Sequence, residues 1–395
     1  MTVSSDFQPE DRIVIVGAGI GGLALALALL QRNIKVSVFE RAPELGEVGA
    51  GVMLTPNATR VLDHLGVLSE VESNATCPGK TQVRHFQTGA ALSTTDLGET
   101  FTERYGHPYY DVHRVHIHDA LHRAVSRIDP HCIHVKHELV RIEEHEDNVT
   151  GKFTNGESIK TKVLIGCDGA RSTVRQIIKK TDNPRYTGNL AWRGLMPITS
   201  LPEHQRGPEI TIWVGPKRHF VEYTVKSGTL KNYVAISNSA EWEEEGWAVP
   251  SKVSHALDEF EEWHSDVKSI IAATPSEACF KWGLFDRDPL DSWSRSRITL
   301  LGDAAHPMLP FMAQGAAMAL EDAVVLSRCL SSTLHLSDAF QSYEKVRQER
   351  TSWCQLQSRK AGLLFQHIAT GKQLDDDRAE RGRMLYEYDA TSASI

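Results

Sequence analysis

The residues with the clearest chemistry stand near the start of the chain. Gly17-Ala18-Gly19-Ile20-Gly21-Gly22 reads G-x-G-x-x-G, set between the β-branched run Ile13 to Val16 and the Ala- and Leu-rich stretch Leu23 to Gln31. Gly17 permits a tight turn, Gly19 lets a pyrophosphate approach the backbone, and Gly22 lets the following helix pack closely on the strand. Free N–H groups at a helix start, aided by the helix dipole, favour the diphosphate. Glu40 ends a second predicted strand, Ile34 to Phe39, 18 residues past Gly22. A carboxylate there accepts hydrogen bonds from ribose hydroxyls. Strand, glycine turn, helix and acid in register specify a dinucleotide site. The glycines alone do not separate FAD from NAD.

Two later segments make that separation. Val163 to Arg175 is an apolar strand that ends in Asp168-Gly169 and runs through a basic turn into a helix. Ile298 to Ala323 carries another buried strand, ending in Gly302-Asp303, then a Pro- and Gly-interrupted loop and a small-residue helix. An aspartate at a strand end beside a helix start is well placed for a second ribose, and the backbone N–H groups after it can line a flavin ring. Within Arg218 to Thr224, strand alternation sets His219, Val221 and Tyr223 on one face and Phe220, Glu222 and Thr224 on the other.

The elements that must hold these groups follow from composition and periodicity. The opening strand–turn–helix–strand predicts a parallel sheet with helical crossovers. Segments 190–198, 209–215, 218–225 and 231–237 alternate or carry β-branched and aromatic residues, and read as an antiparallel sheet that can wall a pocket. A helical stretch from Ser254 to Ala273, the strand Ile298 to Leu301 and helices from about Ala316 follow, and the charged last 25 or so residues are expected to be only partly ordered. The chain leaves the nucleotide domain, builds a sheet and returns. The expected fold is α/β: a Rossmann-like dinucleotide-binding domain (11–80, 105–185 and 285–345) interleaved with a substrate domain of mainly antiparallel sheet (81–104 and 186–284), then a C-terminal helical region and tail (346–395).

Several classes are set aside. The chain has 395 residues and a formal charge of −8 with no basic block to offset it, which argues against a nucleic-acid partner. Six scattered cysteines with no CxxC pair read as reduced thiols. Met1 to Glu10 lacks a signal-peptide pattern, and the apolar run Leu23 to Leu30 is too short to span a bilayer, so no membrane association and a cytoplasmic location are expected. His113, His116, His118 and His122 lack an HExxH or Cys/His framework, so no metal is expected. Trp242 and Trp247 among Glu241, Glu243, Glu244 and Glu245 read as a solvated acidic loop or lid.

The trio of G-x-G-x-x-G, the central Asp168-Gly169 and the late Gly302-Asp303-Ala304-Ala305-His306-Pro307 resembles the class A flavoprotein aromatic hydroxylases. The chain is most similar to the group of salicylate hydroxylase, 3-hydroxybenzoate 6-hydroxylase and 6-hydroxynicotinate 3-monooxygenase. The resemblance spans roughly 11–365 and includes Gly46 to Gly51, Pro56-Asn57, Val112-His113-Arg114, Trp192-Arg193-Gly194 and Trp293-Ser294-Arg295. It implies FAD as cofactor, NADH or NADPH as a transient co-substrate, O2 carried as a C4a-hydroperoxyflavin, and a small aromatic substrate. It also implies a monomer or homodimer. By position it assigns the adenosine ribose to Glu40, the ribityl–diphosphate region to Asp303, and the phosphates or ring to Arg114. Gly315, Ala316 and Ala317 are expected against the isoalloxazine, Asp168 at both FAD and NAD(P)H, and Arg41 and Val52 in the remaining cofactor contacts.

The same resemblance frames the chemistry. A ring hydroxyl pushed toward phenolate activates its ortho and para carbons, so an acceptor should face the substrate. The His-x-x-x-Tyr spacing of His219 and Tyr223 recurs in the hydroxybenzoate and hydroxynicotinate enzymes. His219 is expected to help deprotonate the hydroxyl and Tyr223 to orient it. Pro307 resembles the proline beside the flavin's reactive carbon, shaping the site and excluding water. His306 is expected to satisfy backbone groups. The chain carries Met53 and Phe311 where the hydroxynicotinate enzymes have pocket histidines, which favours a hydroxybenzoate-like ring or a phenol. If the attacked carbon bears a carboxylate, the hydroxylation is decarboxylative. Arg84, Arg193 and Lys217 are the candidates for a substrate carboxylate. The alternatives are a 6-hydroxynicotinate-type pyridine hydroxylase and a non-hydroxylating reductase or sensor of the same fold.

Overall fold

The computed structural model describes residues 11–46, 51–179, 182–239, 242, 249–333, 335–367 and 378–395. Glu47 to Ala50 of the quoted glycine segment lie outside the described residues, as do Glu241, Glu243, Glu244, Glu245 and Trp247 of the expected acidic loop.

A five-stranded parallel sheet runs in the order Ile298–Leu300, Leu164–Gly166, Ile13–Val16, Val36–Phe39, Ile133–His134. Ile13–Val16 is buried on both faces, as β-branched central strands of parallel sheets are. The helix Ile20–Leu30 behind it is apolar all round and buries all but Gly21, because the helices Gly315–Ser332 and Arg114–Ile128 pack on it. The consequence for function lies in strand order. Val16, Gly166 and Leu300 end three adjacent strands, and each leads directly into one of the three motifs.

Above these strand ends lies an eight-stranded sheet, in the order Val249–Pro250, Phe280–Asp286, Arg185–Pro197, Leu230–Asn238, Arg218–Val225, Ile210–Gly215, Lys80–His85, Ala91–Asp96. Every pairing in it is antiparallel except Ile210–Gly215 with Lys80–His85. The predicted alternation along Arg218–Val225 holds. Phe220 turns away to stack on Tyr233 at 4.9 Å, and Glu222 accepts a hydrogen bond from Trp213 Nε1 at 3.0 Å. The helical stretch expected from Ser254 to Ala273 comprises the helices Val253–Glu259 and Ser265–Ala272, with His264 between them accepting from Asp266 N.

The described part of the C-terminal segment begins at Arg378. Residues 378–395 are built into the nucleotide domain, with Leu385 and Ala390 buried. Arg60 donates to the carbonyls of Tyr386 (3.1 Å), Tyr388 (2.7 Å) and Tyr105 (2.7 Å), tying the tail to the body. A charge-rich composition hid these few apolar anchors. No helix among the described residues is long and apolar enough to cross a membrane.

Candidate active site

The strand ends and the overlying sheet enclose a cavity of about 1180 Å³. Its floor is the glycine turn, whose geometry dictates its residues. Gly17 has φ +103°, and a β-carbon there would lie 2.4 Å from the Cys167 carbonyl oxygen. Gly19 is the N-cap of the helix Ile20–Leu30, with no side chain capping the first N–H groups and nothing within 4 Å of where a β-carbon would stand. Exposed donors and open space at one point form a cradle for a diphosphate.

The acids gather around this cradle. Glu40 accepts from Ala18 N at 2.8 Å and Ala42 N at 2.9 Å, and lines the cavity. These bonds set its carboxylate at the strand end with lone pairs left for ribose hydroxyls. His118, buried, spends its Nε2 on the Ala18 carbonyl at 2.8 Å, so it braces the glycine turn. Asp168 lines the cavity and also caps the next helix, accepting from Ser172 Oγ, Thr173 N (2.7 Å) and Val174 N (3.2 Å). Burial pushes its carboxyl up, and those bonds oppose the shift. Asp303 stands beside Gly315, whose β-carbon would lie 3.8 Å from Asp303 Oδ1. Burial raises its carboxyl too, with His306 and Arg114 pulling the other way.

Arg41, Val52, Arg114, Gly315 and Ala316 line the same cavity. One expected residue lies behind its wall. Ala317 faces the core at 1% exposure. Near Pro307 the wall runs through Met308, Leu309 and Pro310, while the Pro307 carbonyl accepts from Gln355 Nε2 at 2.9 Å. Motif spacing brings this loop to the cavity, but which of its residues faces inward depends on a turn that only the fold supplies.

His219, Val221 and Tyr223 project into the cavity from the overlying sheet, with Met53 and Phe311 opposite. Phe311 meets His219 edge-on, ring centroids 5.3 Å apart. Burial drives the His219 imidazolium pKa down to about 3, so the ring is neutral throughout the physiological range. Tyr223 is pushed upward by burial and then by nearby Asp111, and stays protonated. Asp111 is itself wholly buried, which raises its carboxyl well above the usual range.

The three cations named for a substrate carboxylate do not line the cavity. Arg84 donates to Gly89 O and Gln82, Lys217 sits in an exposed hairpin turn, and Arg193 stacks over Phe280 and Trp282 at 5.6 Å from each. The cationic side chains that do line it include Arg104 and Arg381 at its outer end. No local pattern in the sequence marks either.

Behind the late motif lies a buried ion network that sequence reasoning missed. Arg347, fully buried, holds Glu321 Oε2 at 2.6 Å and Asp322 Oδ1 at 2.7 Å. Asp322 Oδ2 accepts from Gly302 N at 3.1 Å and pairs with His306 Nε2 at 2.5 Å. Asn57, in the quoted Pro56-Asn57, bridges Gln314 and Glu321 at 3.1 and 2.7 Å. The turn that carries Asp303 is thereby pinned to two helices.

Residues 10–354 match the protein family described as an FAD binding domain. A 3-amino-4-hydroxybenzoate 2-monooxygenase of Streptomyces platensis is 37% identical over 374 residues, 94% of this chain and 92% of that protein. A 3-hydroxybenzoate 6-hydroxylase of Aquipseudomonas alcaligenes is 36% identical over 362 residues, covering 92% and 91%. The crystal structure of Klebsiella pneumoniae HpxO complexed with FAD and uric acid superposes with a TM-score of 0.82 at 27% identity, covering 97% of this chain and 94% of that one.

Proposed function

The chain belongs to the FAD-binding-domain family and is a flavin-dependent aromatic monooxygenase, and from that premise we propose that its own substrate is a small hydroxylated aromatic acid or phenol. The glycine turn, Glu40 and Asp303 would hold FAD, which when bound would supply the electron transfer from NAD(P)H and the activation of O2. The protein's task is to bind the ring, turn its hydroxyl toward the right groups and keep water out. One observation carries the reading: His219 and Tyr223 stand on one strand face, inside the cavity that begins at the diphosphate cradle.

His219 acts as an acceptor. With its conjugate acid at about 3, it is always ready to take a hydrogen bond from the substrate hydroxyl. Capturing the proton outright from a phenol of ordinary pKa about 10 is strongly uphill unless the phenolate stays beside the imidazolium as its counter-charge. His219 therefore polarises the hydroxyl and holds its proton close, feeding electron density to the ring. Tyr223, always protonated, donates to the same oxygen and fixes its direction. Met53, Val221 and Phe311 supply an apolar wall, which suits a benzenoid ring better than a pyridine. All six cysteines are free, which supports a reducing, cytoplasmic setting.

The test is a panel of salicylate, 3- and 4-hydroxybenzoate, 6-hydroxynicotinate and phenol, with NADH and NADPH in turn. Stimulated NAD(P)H oxidation is expected for a benzenoid acid or phenol, with a product heavier by one oxygen atom or, where the attacked carbon bears the carboxylate, one in which a hydroxyl has replaced the carboxylate released as CO2. Stimulation by the pyridine alone, or by none of them, would overturn the reading. His219→Gln should lower kcat/KM by roughly 10²-fold and divert reducing equivalents to hydrogen peroxide. Because His219 protonates only near pH 3, it adds no acid limb to the wild-type profile between pH 5 and 8. A wild-type limb near pH 6 that vanished in His219→Gln would contradict this.

A further inference from the structure

The cavity extends beyond Tyr223 to an outer end that no nucleotide motif reaches. Tyr223 shares one apolar cluster with Tyr109, Leu97 and Phe101. Phe101 in turn meets Tyr105 at 4.8 Å and Tyr386 at 5.7 Å, and Tyr105 meets Tyr386 edge-on at 5.2 Å. A line of rings thus runs from Tyr223 to the junction of the helices Glu99–Tyr105 and Arg378–Tyr386. Two cations line the cavity at that junction, Arg104 and Arg381.

Their proximity follows from the packing. A β-carbon at Gly382 would lie 3.9 Å from the Tyr105 hydroxyl, so Arg104 and Arg381, each adjacent in sequence to one side of this contact, stand at the same end. The Arg104 guanidinium lies 5.2 Å over the Tyr105 ring. Arg60 clamps both segments through the Tyr105 and Tyr386 carbonyls. Guanidinium groups at the end of an aromatic slot match a planar carboxylate carried on a ring, because their forked donors pair with both of its oxygens.

We propose that Arg104 and Arg381 form the subsite that takes the substrate's carboxylate, so that the acid enters past the C-terminal helix with its hydroxyl leading toward His219 and Tyr223. This deepens, and rests on, the aromatic-acid reading above. It also gives the C-terminal segment a reason to be built into the fold: it supplies one of the two cations.

The experiment titrates flavin-loaded wild type, Arg104→Gln, Arg381→Gln, Arg381→Lys and the Arg104→Gln/Arg381→Gln double variant with 3-hydroxybenzoate and with phenol. Perturbation of the flavin absorbance reads binding, so the result does not depend on turnover. Wild type should prefer the acid, and the double variant should bind it about tenfold or more weakly while its affinity for phenol changes less than about twofold. Arg381→Lys should fall between wild type and Arg381→Gln. In turnover the loss should appear in KM rather than kcat. Equal weakening for acid and phenol, unchanged acid affinity, or a wild type without preference for the acid would overturn the subsite. If the double variant loses its flavin, the single variants decide, Arg104 being exposed. A wild type that binds the acid selectively yet hydroxylates nothing would sink the functional reading and leave the subsite standing.

Discussion

Gly22→Ala is expected to yield a protein that purifies without flavin. A β-carbon at position 22 would lie 2.0 Å from the Gly17 carbonyl oxygen and 3.3 Å from Cys167 Cβ, against ordinary contacts of about 3.5 Å or more. Neither obstacle can swing aside. The oxygen belongs to a turn held at φ +103°, and Cys167 leads into the second motif from the adjacent strand. The helix must back away from the strand, and the N–H groups at its start leave the position where they face a diphosphate. FAD affinity should fall by about 10²-fold or more, read from the ratio of flavin to protein absorbance, and the melting temperature should fall with it. Gly19→Ala is the instructive contrast. Its β-carbon meets nothing, so the apoprotein should melt as wild type while flavin binding is lost to a methyl group in the diphosphate's space. Full flavin occupancy in Gly22→Ala would remove the glycine turn from the cofactor site.

Arg347→Met should cost about 3–5 kcal/mol of stability, because it leaves buried carboxylates short of their counter-charge. Glu321 keeps Arg350 and Asn57, but Asp322 is left with His306 and the Gly302 amide. The pH dependence follows from the sign of the shift. Burial alone would push the Asp322 carboxyl up, yet His306 and Arg347 outweigh it and hold it at about 2. The unfolded carboxyl titrates near 3.9, so this group's contribution is complete above about pH 4 and fades as the pH falls toward 2. In Arg347→Met the carboxyl loses a cation and its pKa rises. The deficit relative to wild type should therefore shrink as pH falls from 7 to 4. Denaturant unfolding at both values measures it, and Asp322→Asn in the Arg347→Met background should recover part of the loss at neutral pH. A deficit that did not change with pH would mean that Arg347 acts through packing alone.

The two predictions also separate what short-range pattern conveys from what it does not. Gly22 was legible because a steric rule about one turn fixes the residue type, and that rule operates within a few residues of chain. The same holds for the alternation that put His219 and Tyr223 on one face, and for the acids at the strand ends. Arg347 was not legible. It lies on a long helix with many charged residues, and nothing local distinguishes a fully buried arginine from its solvated neighbours. The cations named for a substrate carboxylate could not be ranked from sequence for a related reason. Arg84 is engaged by the Gly89 carbonyl and Gln82 and Arg193 stacks over Phe280 and Trp282, while Arg104 and Arg381 reach the cavity from elements 277 positions apart.

By itself the sequence determined the class of cofactor site, the strands and helices that present it, and the sheet face that carries His219 and Tyr223. All of these depend on φ preferences and on periodicities of two or 3.6 residues, which are local properties of the chain. Tertiary structure alone decided that the strands ending in the three motifs lie side by side, that the imidazole is desolvated enough to remain neutral, and that the tail lines the outer end of the cavity. Those outcomes come from burial and from contacts between remote segments, whose energies depend on distance in space rather than along the chain.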